Sequence, residues 1–454
     1  MSSLYLIFVV ISAVAVLLFL VLKLKISAFI SLLIVSIYVG IMAGMPLELI
    51  IESIQRGMGG TLGFVATVVG LGAIFGQMLE SSGGAVALAQ TLLKKFGEKR
   101  APSAMVLTGF IIAIPVFFDV GFIILVPIIY ALARKTKKSL LYYGIPLLAG
   151  LAVTHSFIPP TPGPVAVAEI IGVQLGWVIL YGVILGFPVA VLAGPVWGRY
   201  ISKRIIVHPP EIEEVTEDAN NENSQPPPSF RLIATLIGVP LFLILVNTLS
   251  GVLVSRGIVA ESGLIKTIQF LGHPFSALII ATLLAIYFLC IRRGMSRSTI
   301  LDLSTKALGP AGIIILITGA GGVFKEVLID SGIGTVLAES MAGSPLPPIF
   351  LAWLLAGIVR VTQGSATVAM ITAAGIMSPL IYEMQLSDPH RALIVLSIAS
   401  GATLLSHVND SGFWLVGKYL RMNEKQTLQS WTVMETIIAV GGLVTTLIAS
   451  LFIK

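Results

Sequence analysis

The apolar residues of this 454-residue chain fall in blocks of about 19 or more rather than in the stripes of an amphipathic surface helix. A helix of that length crosses roughly 30 Å of hydrocarbon. Blocks at 4–22, 26–44, 61–79, 140–158, 175–196, 231–249, 273–291, 309–328, 391–408 and 430–453 predict ten crossings. Two further stretches, 103–133 and 345–381, are too long for one crossing and too short for two plus a turn. Each is interrupted near its middle, the first by Asp119 and Gly121 and the second by Gln363 and Gly364. Each therefore predicts a helical hairpin that leaves on the side it entered. The segments 140–174 and 391–420 carry polar breaks of their own and predict broken helices. Non-helical backbone at that depth survives only when packed in protein or facing a wet cavity. The expected fold is an all-α polytopic membrane protein of about ten crossings and two hairpins.

Composition agrees, with 56% apolar and 11% charged residues, against roughly 25% charged in an average soluble domain. A formal charge of +6 hides six acids, Glu211, Glu213, Glu214, Glu217, Asp218 and Glu222, in a stretch without Lys or Arg. The rest of the chain sums to +12, which in a membrane protein reports the loops that stay inside and not affinity for nucleic acid. With the N-terminus outside and both hairpins returning, 21 of the 28 basic residues fall on the cytoplasmic side. A single crossing at 103–133 would put the clusters Lys94–Arg100 and Arg134–Lys138 on opposite faces, which the same rule disfavours. Both termini are therefore expected outside. The run from Leu4 lacks a basic flank before it, so it reads as a retained span rather than a cleaved signal. The lone Cys290 sits among apolar neighbours and reads as core.

The expected domains are a first transmembrane repeat over 1–206, an acidic, Pro-rich cytoplasmic linker over 207–229 and a second repeat over 230–454. A shift of 249 aligns Gly70–Gln90 with Gly319–Glu339 and matches Gly70/Gly319, Gly72/Gly321, Phe75/Phe324, Leu79/Leu328, Ser82/Ser331, Gly83/Gly332, Leu88/Leu337 and Ala89/Ala338. Each half has five crossings, an odd number, so the second is expected upside down. Inverted repeats with interrupted helices belong to secondary transporters, whose substrate site lies near the midplane.

Four interruptions concentrate the polar groups. The first hairpin turns at IPVFFDVGF, where Asp119 is an acid among apolar neighbours, a costly placement that usually marks function. In THSFIPPTPGP four prolines stop the helix and free backbone carbonyls beside Thr154, His155, Thr161 and Gly163. In RVTQGSATVAM, Arg360 cannot deprotonate and must meet a carboxylate, while Gln363, Gly364, Ser365 and Thr367 let backbone N–H groups approach an anion. SHVNDSGFW adds His407, Asn409 and Asp410. Such a mixture suits a small polyhydroxy anion, with Asp119 or Asp410 as carrier of a coupled proton. Bringing an anion into a negative-inside cell costs about 2.3 kcal/mol per charge per 100 mV, so accumulation needs a coupled cation.

The runs IPVFFDVGF, THSFIPPTPGP, VTQGSATVA and SHVNDSGFW resemble the signature stretches of the gluconate permease family of proton symporters, in the ion transporter superfamily. The resemblance spans the chain apart from the acidic linker. It implies proton-coupled uptake of gluconate or a related sugar acid across a bacterial inner membrane, with hairpins and broken helices forming the site. Superfamily relatives are often dimers, so a homodimer is an expectation. An aspartate at position 119 resembles the sugar-acid members more than the D-serine one. No cofactor and no catalytic set is expected, since neither H-E-x-x-H nor G-x-S-x-G occurs. A channel and a sodium-coupled transporter of carboxylates, D-serine or other small hydroxy acids are the alternatives; Gly-Ser-Ala-Thr and Asn-Asp-Ser turns offer oxygens for Na⁺, while the buried acids favour protons.

Overall fold

The computed structural model describes residues 3–210, 227–336 and 346–453. The acids at 211–222, the aligned pairs at 337 and 338, and the start of the second expected hairpin at 345 lie outside the described residues. What is described is all helix and turn. In chain order the helices are α1 (Ser3–Leu18), α2 (Ala28–Met42), α3 (Leu47–Ser81), α4 (Gly84–Phe96), α5 (Ala101–Ile112), α6 (Phe118–Thr136), α7 (Leu141–Phe157), α8 (Pro162–Ile171) and α9 (Leu175–Arg204, with a π turn inside). After the linker come α10 (Phe230–Ser255), α11 (Gly263–Gly272), α12 (Pro274–Arg293), α13 (Arg297–Asp330), α14 (Pro348–Gln363), α15 (Ala366–Glu383), α16 (Asp388–Gly401), α17 (Ser411–Tyr419) and α18 (Glu424–Ser450).

Nine helices among the described residues are long and apolar enough to cross a membrane. Eight overlap spans expected from sequence, α7 and α8 counting together as one. The ninth is the α15 limb of the second interrupted stretch, whereas the expected crossings 26–44 and 391–408 are helices of only 15 and 14 residues. The two blocks 61–79 and 309–328 prove to be parts of helices of 35 and 34 residues. At 1.5 Å per residue each of these runs about 50 Å, well beyond the hydrocarbon thickness. Hydropathy undercounts them because the added turns are polar, and one added turn of α3 is tied to the C-terminal end of α13. Arg56 on α3 reaches Asp330 on α13 at 2.6 Å and Glu326 at 3.7 Å, and the Ser53 hydroxyl donates to Asp330 at 2.5 Å.

One order of elements occurs twice: a very long helix, a helix–break–helix unit, a helix broken by a polar or proline segment, and a long final helix. The breaks have local causes. After α7 the chain runs through Ile158, Pro159, Pro160 and Thr161, where proline has no N–H to continue the ladder, and α8 restarts with Pro162 at its first position. After α14, Gly364 sits at φ +88°, which a side chain would resist, and Ser365 caps α15 by accepting from Val368 N–H at 3.4 Å.

The broken helices lie at the centre: 89% of the α7–α8 apolar window is buried, against 33% for α1 and α10 at the periphery. α5 and α6 both pack on α7, and the α5–α7 contact is tight enough that a Cβ on Gly150 would lie 2.2 Å from the Val106 carbonyl oxygen and 2.7 Å from the Phe110 nitrogen. Backbone cannot yield as a flexible side chain can. Gly150→Ala should therefore lower stability by about 1–3 kcal/mol, the usual cost of overpacking. Thermal unfolding of the detergent-purified protein checks this, with Gly238→Ala, which has open space around it, as the control expected to stay within error.

Candidate functional site: a polar cavity where the helix breaks meet

A cavity of about 360 Å³ opens where the breaks converge. The first half contributes Phe118 and Asp119 from the first turn of α6, and Ala152, His155 and Ser156 from α7. The second half supplies the larger share, from Arg360 and Gln363 on α14, Gly364 to Thr367 at the next break, Thr403, Asn409 to Gly412 before and at the start of α17, and Trp431 and Glu435 on α18.

Its electrostatic centre is Arg360, 4% exposed, whose Nη2 lies 2.5 Å from Asp410 Oδ2. The other guanidinium nitrogen, Nη1, donates to the Gly364 carbonyl, and Nε has no partner among the described residues. Asp410 does two jobs: Oδ2 also accepts from the Ser406 hydroxyl, and Oδ1 caps α17 by accepting from Gly412 N–H at 3.0 Å. Trp431 Nε1–H donates to Ser406 Oγ at 2.7 Å, which ties this cluster to α18. The two tips of the second half are laced together, since Asn409 Nδ2 donates to the carbonyls of Val361 at 2.9 Å and Thr362 at 3.4 Å. Gly364 allows the closeness, because a Cβ there would lie 2.2 Å from the Asn409 carbonyl oxygen.

Of the residues expected from sequence, Asp119, His155, Arg360, Gln363, Gly364, Ser365, Thr367, Asn409 and Asp410 are brought together on this cavity. Thr154, Thr161, Gly163 and His407 are not among its walls. Thr154 Oγ1 donates to the Phe110 carbonyl at 2.9 Å and Thr161 Oγ1 to the Ile158 carbonyl at 2.6 Å. The Ile158 carbonyl of the proline break thus takes up the Thr161 hydroxyl, as short polar side chains commonly do, while Thr154 is spent on the last turn of α5. Gly163 packs against the Met370 sulfur, and the His407 ring Nε2 meets the Val361 carbonyl at 3.1 Å.

Glu435 was missed by the sequence reading. It is 3% exposed and its Oε1 has no hydrogen-bond partner among the described residues. It stands near the start of the expected block 430–453, where a charge draws no notice. Because α18 begins at Glu424, it is in fact about three turns inside the helix. His155 Nδ1 and Gln363 Oε1 are likewise buried and unpaired among the described residues. A buried polar atom without a partner costs on the order of 1–3 kcal/mol, so this cavity holds an unsatisfied demand for hydrogen bonds that a polar ligand would meet.

A charged cavity where broken helices meet, inside a helical fold with spans long enough to cross a membrane, is the form that the substrate site of a membrane transporter takes. Solved structures share the architecture: the YdaH transporter of Alcanivorax borkumensis matches with a TM-score of 0.61 over 87% of this chain and 88% of that one, and Neisseria gonorrhoeae MtrF with 0.61 over 88% and 83%, each at 14% identity. The family model for GntP family permeases matches residues 4–452, and the chain belongs to that family. Similar proteins include the low-affinity gluconate transporter of Escherichia coli K12, 41% identical over 99% of each chain. The gluconate permease of Bacillus subtilis is 40% identical over 96% of this chain and 97% of its own. The Gnt-II system L-idonate transporter of E. coli K12 is 38% identical over 96% and 97%.

Proposed function

We propose that this permease takes up gluconate or a closely related sugar acid together with protons, by alternating access, in the inner membrane. The observation that carries the reading is the charge balance of the cavity: three carboxyl groups, Asp119, Asp410 and Glu435, face one guanidinium, Arg360. A sugar acid adds a fourth carboxyl. Arg360 and Glu435 are buried and Asp119 is exposed, and with every carboxyl ionised the negative surplus around one guanidinium opposes a further anion, so the anion enters with protons. Asp410 is engaged as an anion by Arg360, Ser406 and Gly412 N–H. That engagement favours Asp119 and Glu435 as the proton carriers, a shift from the expectation that named Asp119 and Asp410. Arg360 Nε and the Gln363 carbonyl and amide are the groups offered to the substrate's carboxylate and hydroxyls, with Ser365, Thr367 and Asn409 around them.

In this reading the repeated element order is an inverted repeat, both termini lie outside, and the 207–229 linker joins the halves on the cytoplasmic side. The names of the gluconate and L-idonate relatives support the substrate class. Proteoliposomes offered gluconate, other aldonates, hexuronates, D-serine and dicarboxylates should accumulate the aldonates under an imposed proton gradient, while a sodium gradient of equal size drives nothing. Accumulation under sodium alone, or a preference for D-serine, would replace this reading with the sodium-coupled or amino-acid alternative.

A further inference from the structure

Helix α9 carries two hollows on its outer face, away from the polar cavity. The lower one, about 500 Å³, is walled by Lys137, Lys138, Tyr142, Arg199 and Lys203, with no acid among its lining residues. Among the described residues none of these four cations has a carboxylate within 4.0 Å. The two segments that bring them together are fastened to each other. Ser139 Oγ donates to the Ile205 carbonyl at 3.0 Å, Val207 N–H donates to Ser139 Oγ at 3.1 Å, and Leu140 N–H donates to the Val207 carbonyl at 2.9 Å. Lys138 is steered by the Tyr142 ring, 4.0 Å beneath its ammonium. Like charges gathered in one fixed hollow repel unless an anion sits between them.

The upper hollow, about 530 Å³, is almost wholly apolar and lies between Pro188, Val189 and Leu192 of α9 and Val433, Ile437 and Val440 of α18. The two are joined along one face of α9. Leu192 and Val196 are 49% and 54% exposed, Arg199 and Lys203 are exposed, and Ala193, Gly194, Gly198 and Ile201 are buried on the other side. From Leu192 to Arg199 is about 10 Å along a helix. A phosphate below and a hydrocarbon chain above, on one lipid-facing strip, is the outline of a phospholipid.

We propose that α9 and the loop joining α6 to α7 form a binding site for an anionic phospholipid, its headgroup phosphate held by Lys138, Arg199 and Lys203 and one acyl chain laid in the α9–α18 groove. The groove distinguishes this ligand from a soluble phosphate, which would leave it unused. The site is independent of the substrate reading, since none of its residues lines the transport cavity.

Native mass spectrometry of the full-length, delipidated protein titrated with phosphatidylglycerol or phosphatidylcholine tests it. Phosphatidylglycerol should be retained preferentially, and the triple variant Lys138→Ala, Arg199→Ala, Lys203→Ala should bind it about 100-fold more weakly, the loss expected when three cations beside an acidic headgroup are removed together. Phosphatidylcholine retention should not change. Equal retention of the two lipids by the unaltered protein overturns the proposal whether or not the variant folds. Displacement of phosphatidylglycerol by equimolar glycerol 3-phosphate would also overturn it, assigning the lower hollow to soluble anions. So would a preference seen only after removal of residues 211–226, which would give the cations to the acidic stretch of the chain itself.

Discussion

Arg360→Ala is expected to abolish uptake and to destabilise the protein, and adding Asp410→Ala to it should restore much of the stability and none of the transport. The pair is withdrawn from water, with 4% of one side chain and 12% of the other exposed. Removing the guanidinium alone leaves Asp410 as an uncompensated charge, which costs about 3–5 kcal/mol, whereas removing both members of a buried pair is often neutral. The guanidinium also holds the Gly364 carbonyl, so its loss frees the tip of the α14–α15 unit. Unfolding temperatures of the two single variants and the double variant form the stability cycle, and uptake into proteoliposomes gives the other readout. Wild-type uptake by the double variant would show that the pair serves folding only and would remove Arg360 from substrate recognition.

The second large effect concerns the proton. Asp119→Asn and Glu435→Gln should each lose accumulation while keeping exchange. An amide has nearly the size of the acid and can hydrogen-bond to a sugar hydroxyl, but it cannot carry a proton across. A gradient of one pH unit supplies about 1.4 kcal/mol, enough for roughly tenfold accumulation per proton. In the uncoupled variant that ratio should fall to about one, while labelled substrate still exchanges for unlabelled. A variant that accumulates normally takes its residue out of the coupling path, and normal accumulation in both would shift the burden to Asp410 or to a different ion.

Which features could be read from sequence follows from how far each is determined locally. The α7–α8 and α14–α15 breaks are legible because proline and glycine act on their own backbone: the stop after Phe157, the restart at Pro162 and the turn at Gly364 need no partner to be inferred, whereas the first hairpin's break falls at 113–117, ahead of Asp119 and Gly121. Asp119 and Arg360 stood out as charges in apolar stretches, and Asp410 as the acid of a polar break. The lengths of α3 and α13 were not legible, since their added turns are polar and, on α3, one of them meets α13 only through Arg56 reaching Glu326 and Asp330, the latter 274 positions away in sequence. The same limit explains the hydroxyls. Whether Thr154 faces a ligand or a carbonyl depends on where Phe110 lies, and Glu435 becomes conspicuous only when the start of α18 is known.

The two halves share a plan of broken helices but meet the cost of the break by opposite means. In the first half the α7–α8 break is filled with prolines, which remove donors instead of pairing them, and Thr161 turns inward to a carbonyl of its own segment. No ionisable side chain stands between Ile158 and Pro162. In the second half the corresponding break is secured by Asp410, a group whose hold on Arg360 depends on its charge. The first break is thus held without charge, and the second by an ion pair that lasts only while both of its members stay ionised. The α7–α8 break therefore holds its shape whatever the charge in the cavity, whereas the joint between the end of α14 and the start of α17 is the one that a charged occupant competes for.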